Sequence, residues 1–101
     1  MNFRVVHEAE ASIEFREAVA RYEAESEGLG IRFVLEVNRV INAISSHPFF
    51  FSKAGRKGRK AQVINWPYTL YFVVNENHNE IKVIAVWHGT RNPADLRRRL
   101  R

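Results

Sequence analysis

Three side chains of the sequence have the types that phosphodiester chemistry uses: Arg59, His88 and Arg91. Arg59 begins one predicted strand and His88 ends another, and in an antiparallel sheet opposite strand ends can lie beside each other. A guanidinium stabilises negative charge, and an imidazole transfers protons near neutral pH. The same pair would also contact a phosphate or a carboxylate without any chemistry. The residues therefore leave two interpretations open, a nuclease site and a docking site.

Other patterns of catalysis and metal binding are missing from the sequence. The chain has no cysteine, and its four histidines form no closely spaced ligand pair: His7, His47, His78 and His88. No serine stands in a nucleophile-elbow context, and "GRKGRK" lacks the spacing of a phosphate-binding P-loop. We therefore expect neither a metal nor a cofactor.

Basic charge is concentrated in two parts of the chain. Sixteen lysines and arginines against eleven acids give 101 residues a net charge of +5. Seven glutamates fall within residues 8–27, whereas residues 53–60 carry five basic side chains and the last five residues carry four arginines. This layout is typical of an electrostatic binding surface, although solubility alone would also explain it.

The elements that would position these residues begin with a strand at residues 3–7 and a helical hairpin. Along a first helix from Ala9, apolar residues recur at helical spacing: Ala11, Phe15, Ala18 and Tyr22. Gly28 or Gly30 can take the left-handed conformation that ends this helix. A second apolar stripe follows at Phe33, Val37, Val40, Ile41 and Ile44. Pro48 ends the second helix, because it disfavours helical geometry at the preceding residue.

The hairpin requires a sheet to cover its apolar stripe. After a basic loop at residues 49–60, three segments rich in β-branched and aromatic residues predict strands at 61–66, 68–74 and 80–88. A closing helical turn is expected near residues 94–100. The order β-α-α-β-β-β predicts an α+β fold, with the helical hairpin on one face of a mainly antiparallel sheet. We expect the opposite face to be uncovered and free to meet a partner.

The aromatic residues of the second predicted strand have two interpretations. Trp66, Tyr68, Tyr71 and Phe72 could stack on bases, but packing in the core or against a partner is the simpler role for them. The whole chain, residues 1–101, is expected to form a single domain. No apolar run is long enough to cross a membrane and the N-terminus lacks a signal-peptide pattern, so we expect a cytoplasmic protein.

Four short motifs, in order, resemble the RelE/ParE toxin superfamily. "EFREAVARYEAESEGLGIRFVLEVNRVINAISSHP" is similar to its helical hairpin, and the "GLGIRF" turn resembles the ParE branch. Arg59 followed by "WPY" at residues 66–68 resembles the family's arginine and aromatic-Pro-Tyr step. "VWHGTRNP", residues 86–93, resembles its closing His-x-x-Arg-x-Pro motif. The resemblance extends from about residue 3 to residue 96.

The resemblance implies the toxin half of a type II toxin–antitoxin pair, of the kind associated with plasmid stabilisation, neutralised by a small antitoxin. ParE-type members act on DNA gyrase, and RelE-type members cleave mRNA on the ribosome. The positions that match the shared motifs are Arg59, Tyr68, His88, Arg91 and Pro93. Two departures stand out: Leu96 occupies a place where the family often has tryptophan, and no tyrosine follows Tyr71. The second departure weakens the expectation of RNA cleavage.

The resulting hypothesis is a ParE-like toxin that binds gyrase, causes growth arrest and is not itself an enzyme. An acidic antitoxin would cover the same surface in a hetero-oligomer. The expected partner-binding residues are Arg56, Lys57, Arg59, Lys60, Trp66, Tyr68, Tyr71, His88, Arg91, Leu96, Arg97 and Arg98. The alternative is an mRNA endoribonuclease that uses Arg59 and His88, with Arg91 nearby and contacts to RNA or the ribosome. A third possibility is a decayed toxin that only binds its antitoxin.

Overall fold

A computed structural model describes residues 2–101 of the chain. Five strands and three helices follow one another, with a short 3-10 turn after α2 and another before β5. Their bounds are β1 Arg4–His7, α1 Ala9–Glu25, α2 Leu29–Ser46, β2 Ser52–Ala54, β3 Gly58–Gln62, β4 Tyr68–Asn75, β5 Glu80–His88 and α3 Pro93–Arg99. Across residues 2–101, no helix has the length and apolar character that crossing a membrane requires.

The helical hairpin forms as the sequence predicts. Ala11 and Ala18 of α1 are completely buried, which confirms the predicted apolar stripe. Gly28 separates the helices with a φ of +87°, the left-handed conformation that glycine adopts at little steric cost. The Glu23 carboxylate accepts hydrogen bonds from the main-chain N–H groups of Gly28 and Gly30, each at 3.0 Å. These bonds satisfy donors that would otherwise be unpaired where the second helix begins.

The sheet has the strand order β1-β5-β4-β3-β2. β1 is parallel to β5, and the other three pairs are antiparallel, so the predicted α+β fold with a mainly antiparallel sheet is confirmed. Both helices of the hairpin pack on one face. The core there is apolar and aromatic, and its largest members include Phe33, Leu70, Phe72 and Ile81.

The basic segment between α2 and the sheet is more regular than the sequence predicts. Instead of an irregular loop at residues 49–60, it contains β2 and the start of β3, and the strand predicted at 61–66 ends at Gln62. Gly55 turns the β2–β3 hairpin with a φ of +67°. At Gly58, an added Cβ would lie 2.6 Å from the Ala54 carbonyl oxygen and 2.8 Å from Leu100. This close approach requires glycine at position 58. The lysines and arginines around it are the reason that the sequence did not predict a strand here.

The sheet face opposite the hairpin, here called the reverse face, is partly covered. The prediction that this face is uncovered is therefore wrong for the centre of the face. A bulge pairs Tyr71 with Ala85 and the next residue of β4 with Val83, so Ile84 is an extra residue in β5. Ile84 and Ala85 then join Trp87 in an apolar cluster. Two residues of the C-terminal segment pack against this cluster and are 7% and 8% exposed: Leu96 and Leu100.

Candidate functional site

A cleft of about 470 Å³ lies between α1 and the end of the sheet where β5 stops. Tyr68 and His88 are cross-strand partners there, with ring centroids 5.0 Å apart and planes at 89°. The Arg21 guanidinium of α1 donates a hydrogen bond to the Tyr68 hydroxyl. We call this region the His88 cleft, and its other polar lining residues are Glu10, Glu14, Glu17, Arg91 and Arg99.

His88 is held in one orientation by the residue two positions later. The main-chain N–H of Thr90 donates to His88 Nδ1 at 3.1 Å, and the Thr90 hydroxyl lies 2.8 Å from the same nitrogen. Because Nδ1 accepts a hydrogen bond, the neutral ring carries its proton on Nε2. The ring therefore has Nε2 left as a donor towards a ligand or a partner.

Glu14 of α1 is the centre of a hydrogen-bond network beside the cleft. Its carboxylate accepts hydrogen bonds from the Val86 main-chain N–H at 3.0 Å, from Arg99 at 2.6 and 3.1 Å, and from Arg91. β1 pairs with β5 only as far as Val83, so Glu14 satisfies a β5 donor beyond the end of that pairing. Burial alone would raise the pKa of Glu14, but the hydrogen bonds from Arg99, Val86 and Arg91 lower it below its ordinary value.

The two arginines bound to Glu14 also pack against Trp87. The Arg91 guanidinium lies 3.7 Å from the centre of the indole, and that of Arg99 lies 5.1 Å away. Arg99 donates a further hydrogen bond to the Ile84 carbonyl oxygen at 3.2 Å, and its hydrogen bond with Glu14 raises its pKa. Arg91 is therefore paired with Glu14 and stacked on Trp87, whereas a catalytic or docking arginine would need a guanidinium that is free to bind a ligand.

The predicted pairing of Arg59 with His88 is wrong. Arg59 faces Phe72 across β3 and β4, whereas His88 faces Tyr68, four positions or about 13 Å further along β4. β4 also stands between the two strands that carry them. The Arg59 guanidinium instead donates to the Phe51 carbonyl oxygen at 2.8 Å, where it holds the segment after α2 in place.

A group of exposed basic side chains lies outside the cleft, at the β2–β3 hairpin and α3. Leu100 contacts the β2–β3 hairpin at Gly55 and Gly58, so the hairpin and α3 are neighbours. On the reverse face Lys60 is the cross-strand partner of Tyr71. We call the following exposed residues the basic surface: Arg56, Lys57, Lys60 and Arg97. None of them forms an ion pair within residues 2–101.

Three predicted partner-binding residues occupy other positions. Leu96 is 7% exposed beneath α3, so it cannot meet a partner in this conformation. Trp66 packs against Tyr22 and Phe33, with ring centroids 4.7 and 5.1 Å apart, and belongs to the core beneath the helices. Arg98 forms an ion pair with Asp95 on the same helix.

The sequence interpretation missed several residues of both regions. Glu10, Glu14, Glu17 and Arg21 recur at helical spacing beside the apolar stripe of α1, a signal that could have placed them on one face. A groove of about 300 Å³ next to the basic surface is lined by three further cations: Lys82, Arg99 and Arg101. Lys82 was missed because most of the other residues of β5 are apolar, so this segment was interpreted only as a strand of the core.

Comparison with known proteins identifies the fold. No protein-family model matches the chain, and no curated protein matches its sequence. Among solved structures, it is similar to a chain of the chromosomal ParDE TA system from P. aeruginosa, with a TM-score of 0.67 and 15% identity over 85% of this chain and 95% of that one. It is also similar to a chain of the toxin–antitoxin complex RelBE2 from Mycobacterium tuberculosis, with a TM-score of 0.61 and 17% identity over 87% and 99%. The resemblance seen in the sequence is thus confirmed for the architecture, and the chain has the RelE/ParE fold.

Proposed function

We propose that this protein is the toxin component of a type II toxin–antitoxin system and that a cognate antitoxin neutralises it. The fold supports this proposal, because both similar structures are toxin–antitoxin complexes and the match covers nearly the whole of each compared chain. The helical hairpin with its "GLGIRF" turn, which resembles the ParE branch, also supports it.

The target that the site supports best is DNA gyrase, inhibited by binding rather than by an enzymatic reaction of the toxin. One observation carries this proposal: the arginines beside His88 are already engaged. Arg91 and Arg99 share the Glu14 carboxylate, and Arg59 bonds to the chain after α2. Three glutamates balance the three arginines that line the cleft, so an RNA phosphate would meet little net positive charge there. Arg21 is the cleft arginine that forms no ion pair within residues 2–101, and its guanidinium is bonded to the Tyr68 hydroxyl.

The surface that would engage gyrase is the basic surface together with Tyr71, its neighbour across β3 and β4. Its unpaired cations are solvent-exposed and lie beside α3, which suits a protein partner with acidic groups. An acidic antitoxin that covers the same residues would block access to gyrase, and this would explain neutralisation by competition.

Purified protein added to a gyrase supercoiling reaction tests the proposal. We expect loss of supercoiling and accumulation of cleaved DNA complexes. The triple variant Arg56→Ala, Lys57→Ala, Lys60→Ala should lose the effect, whereas Arg32→Ala, Arg39→Ala, with substitutions on the exposed side of α2, should retain it. Normal supercoiling with no cleaved complexes in the presence of the wild-type protein would contradict the gyrase proposal.

A second candidate is the mRNA endoribonuclease, which the grouping of Arg21, Tyr68 and His88 in an open cleft favours. The variant His88→Ala separates the candidates. If toxicity and mRNA cleavage in cells are lost together, the nuclease is supported, although Arg59 would act there only after a rearrangement. If toxicity is unchanged, His88 has no catalytic role. Growth arrest on expression without an antitoxin would eliminate the decayed toxin.

A further inference from the structure

A second cavity lies between the helical hairpin and the sheet, next to the His88 cleft, with which it shares Val86. Its volume is about 270 Å³. Its floor comes from core residues of α2, β4 and β5 that are each 2% exposed or less: Val37, Leu70, Val83 and Val86. Above these core residues, the partly buried side chains of Phe15 and Ile41 supply the apolar surface that a ligand in the cavity could touch.

The mouth of this cavity is polar and carries one positive charge. It is formed by Ser12 and Arg16 of α1, Asn38 of α2 and His7 of β1. Arg16 is the only lining residue with a formal charge at neutral pH, since burial lowers the pKa of His7 and keeps its imidazole neutral. Arg16 forms no ion pair with any residue from 2 to 101. The serine hydroxyl and the asparagine amide add hydrogen-bond donors for an anion.

We propose that this cavity binds a small apolar monocarboxylate. The carboxylate would pair with Arg16 at the mouth, and the hydrocarbon part would lie against Phe15 and Ile41, above the floor at Val37 and Leu70. A volume of about 270 Å³ lies just below the range of about 300–1,000 Å³ for drug-sized ligands, so the ligand is a compact chain or ring.

The surroundings of the mouth favour a small molecule over a protein segment. A protein anchor needs apolar surface around its pocket that excludes water from the contact. None of the large hydrophobic side chains that are exposed in the described part of the chain lines this cavity: Ile13, Ile31, Leu35, Phe49, Phe50 and Ile64. The rim is hydrophilic, so a ligand would have to gain its apolar contact inside the cavity.

Titration of wild-type protein with sodium hexanoate, octanoate and octylamine, below their aggregation concentrations, tests the proposal. Methyl NMR spectra should show shifts at Val37, Leu70, Val83 and Val86. Because each buried methylene strengthens binding about fourfold, octanoate should bind roughly fifteenfold more tightly than hexanoate. Octylamine, with the same chain and the opposite charge, should bind at least about tenfold more weakly than octanoate. Equal affinity of the two octyl compounds, or shifts outside these four residues only, would overturn the proposal.

Two variants locate the headgroup and the chain. Arg16→Gln should weaken octanoate binding about tenfold. The control Arg32→Gln removes the same charge from α2 at a position that does not line the cavity, and should leave the affinity unchanged. Ser12→Phe places a ring at the mouth, on the helix surface, and should abolish the methyl shifts. Equal losses for Arg16→Gln and Arg32→Gln would mean that octanoate responds only to the net charge of the protein, which would refute the site.

Discussion

The His88 cleft and the basic surface use the same kind of residue in opposite ways. In the cleft, Arg91 and Arg99 are fixed by a single carboxylate and by the face of Trp87. On the basic surface, Lys57 and Lys60 form no ion pair within residues 2–101. The cause is the position of α1, which packs against β5 and brings the Glu14 carboxylate to Arg91 and Arg99.

This difference shows that the number of arginines in a motif does not measure the charge available to a partner. The C-terminal segment has four arginines in five residues, yet Arg99 stabilises the fold and Arg98 is paired with Asp95. Arg97 is the member of this run on the basic surface. The positive charge that is available to a partner therefore comes more from the β2–β3 hairpin, and less from the C-terminal arginines, than the sequence alone suggests.

The largest expected effect comes from removing the carboxylate of the cleft network. Glu14→Gln should lower the free energy of unfolding by about 3 kcal/mol, because it leaves the largely buried Arg99 with only the exposed carboxylate of Glu10, 3.4 Å away, as an ion-pair partner. Urea denaturation measures this loss. Glu17→Gln, an exposed residue of the same helix, is the control and should change stability by less than about 0.5 kcal/mol. Equal losses of unfolding free energy for the two variants would show that the Glu14 network contributes no more to stability than an exposed glutamate does.

The second prediction concerns the contact that joins the two regions. Arg99 points to the cleft network, while the next residue, Leu100, packs on the β2–β3 hairpin. Leu100→Ala should cost about 2 kcal/mol of unfolding free energy, at the lower end for a buried leucine because the side chain is 8% exposed. Ile31→Ala, at a site that is 63% exposed, should cost less than about 0.5 kcal/mol. A negligible loss for Leu100→Ala would mean that α3 does not hold the hairpin.

Local patterns predicted the parts of the fold that depend on residues close in sequence. The stripe from Ala11 to Tyr22 and the turn at Gly28 fix the hairpin, and Pro93 marks the start of α3. β2 and β3 were missed because residues 52–60 are rich in lysine, arginine and glycine, which do not favour strands. β3 forms because it pairs with β4, and a prediction from the residues of one segment does not take such pairing into account.

The site was harder to predict because its contacts are distant in sequence. Glu14 reaches residues 72 and 85 positions later, and both contacts depend on where β5 lies relative to α1. The bulge at Ile84 shifts the register by one residue, and no local pattern indicates it. The error about Arg59 and His88 has the same origin: both lie near strand ends, but the register places His88 opposite Tyr68 and Arg59 opposite Phe72, four positions further along β4.

A third prediction uses pH to isolate the Glu14 network. The pKa of Glu14 is lowered in the folded protein, so its contribution to stability is complete above the ordinary carboxyl pKa and is lost as the pH falls through the folded value. The difference in unfolding free energy between wild type and Glu14→Gln should therefore shrink as the pH is lowered from 6 to 3. A difference that stays constant over this range would show that the carboxylate is not stabilised by its arginines.

The smallest expected effect is at the basic surface. Lys60→Gln should change the free energy of unfolding by less than about 0.5 kcal/mol, because Lys60 is exposed and has no ion-pair partner within residues 2–101. Added salt should leave this small difference unchanged, whereas Arg99→Gln should be clearly destabilised at every salt concentration, since its ion pair is shielded from solvent. Urea denaturation of both variants in low and high salt measures the contrast. A loss of more than about 1 kcal/mol in Lys60→Gln would show that the hairpin cations hold the fold together, and that they are not free for a partner.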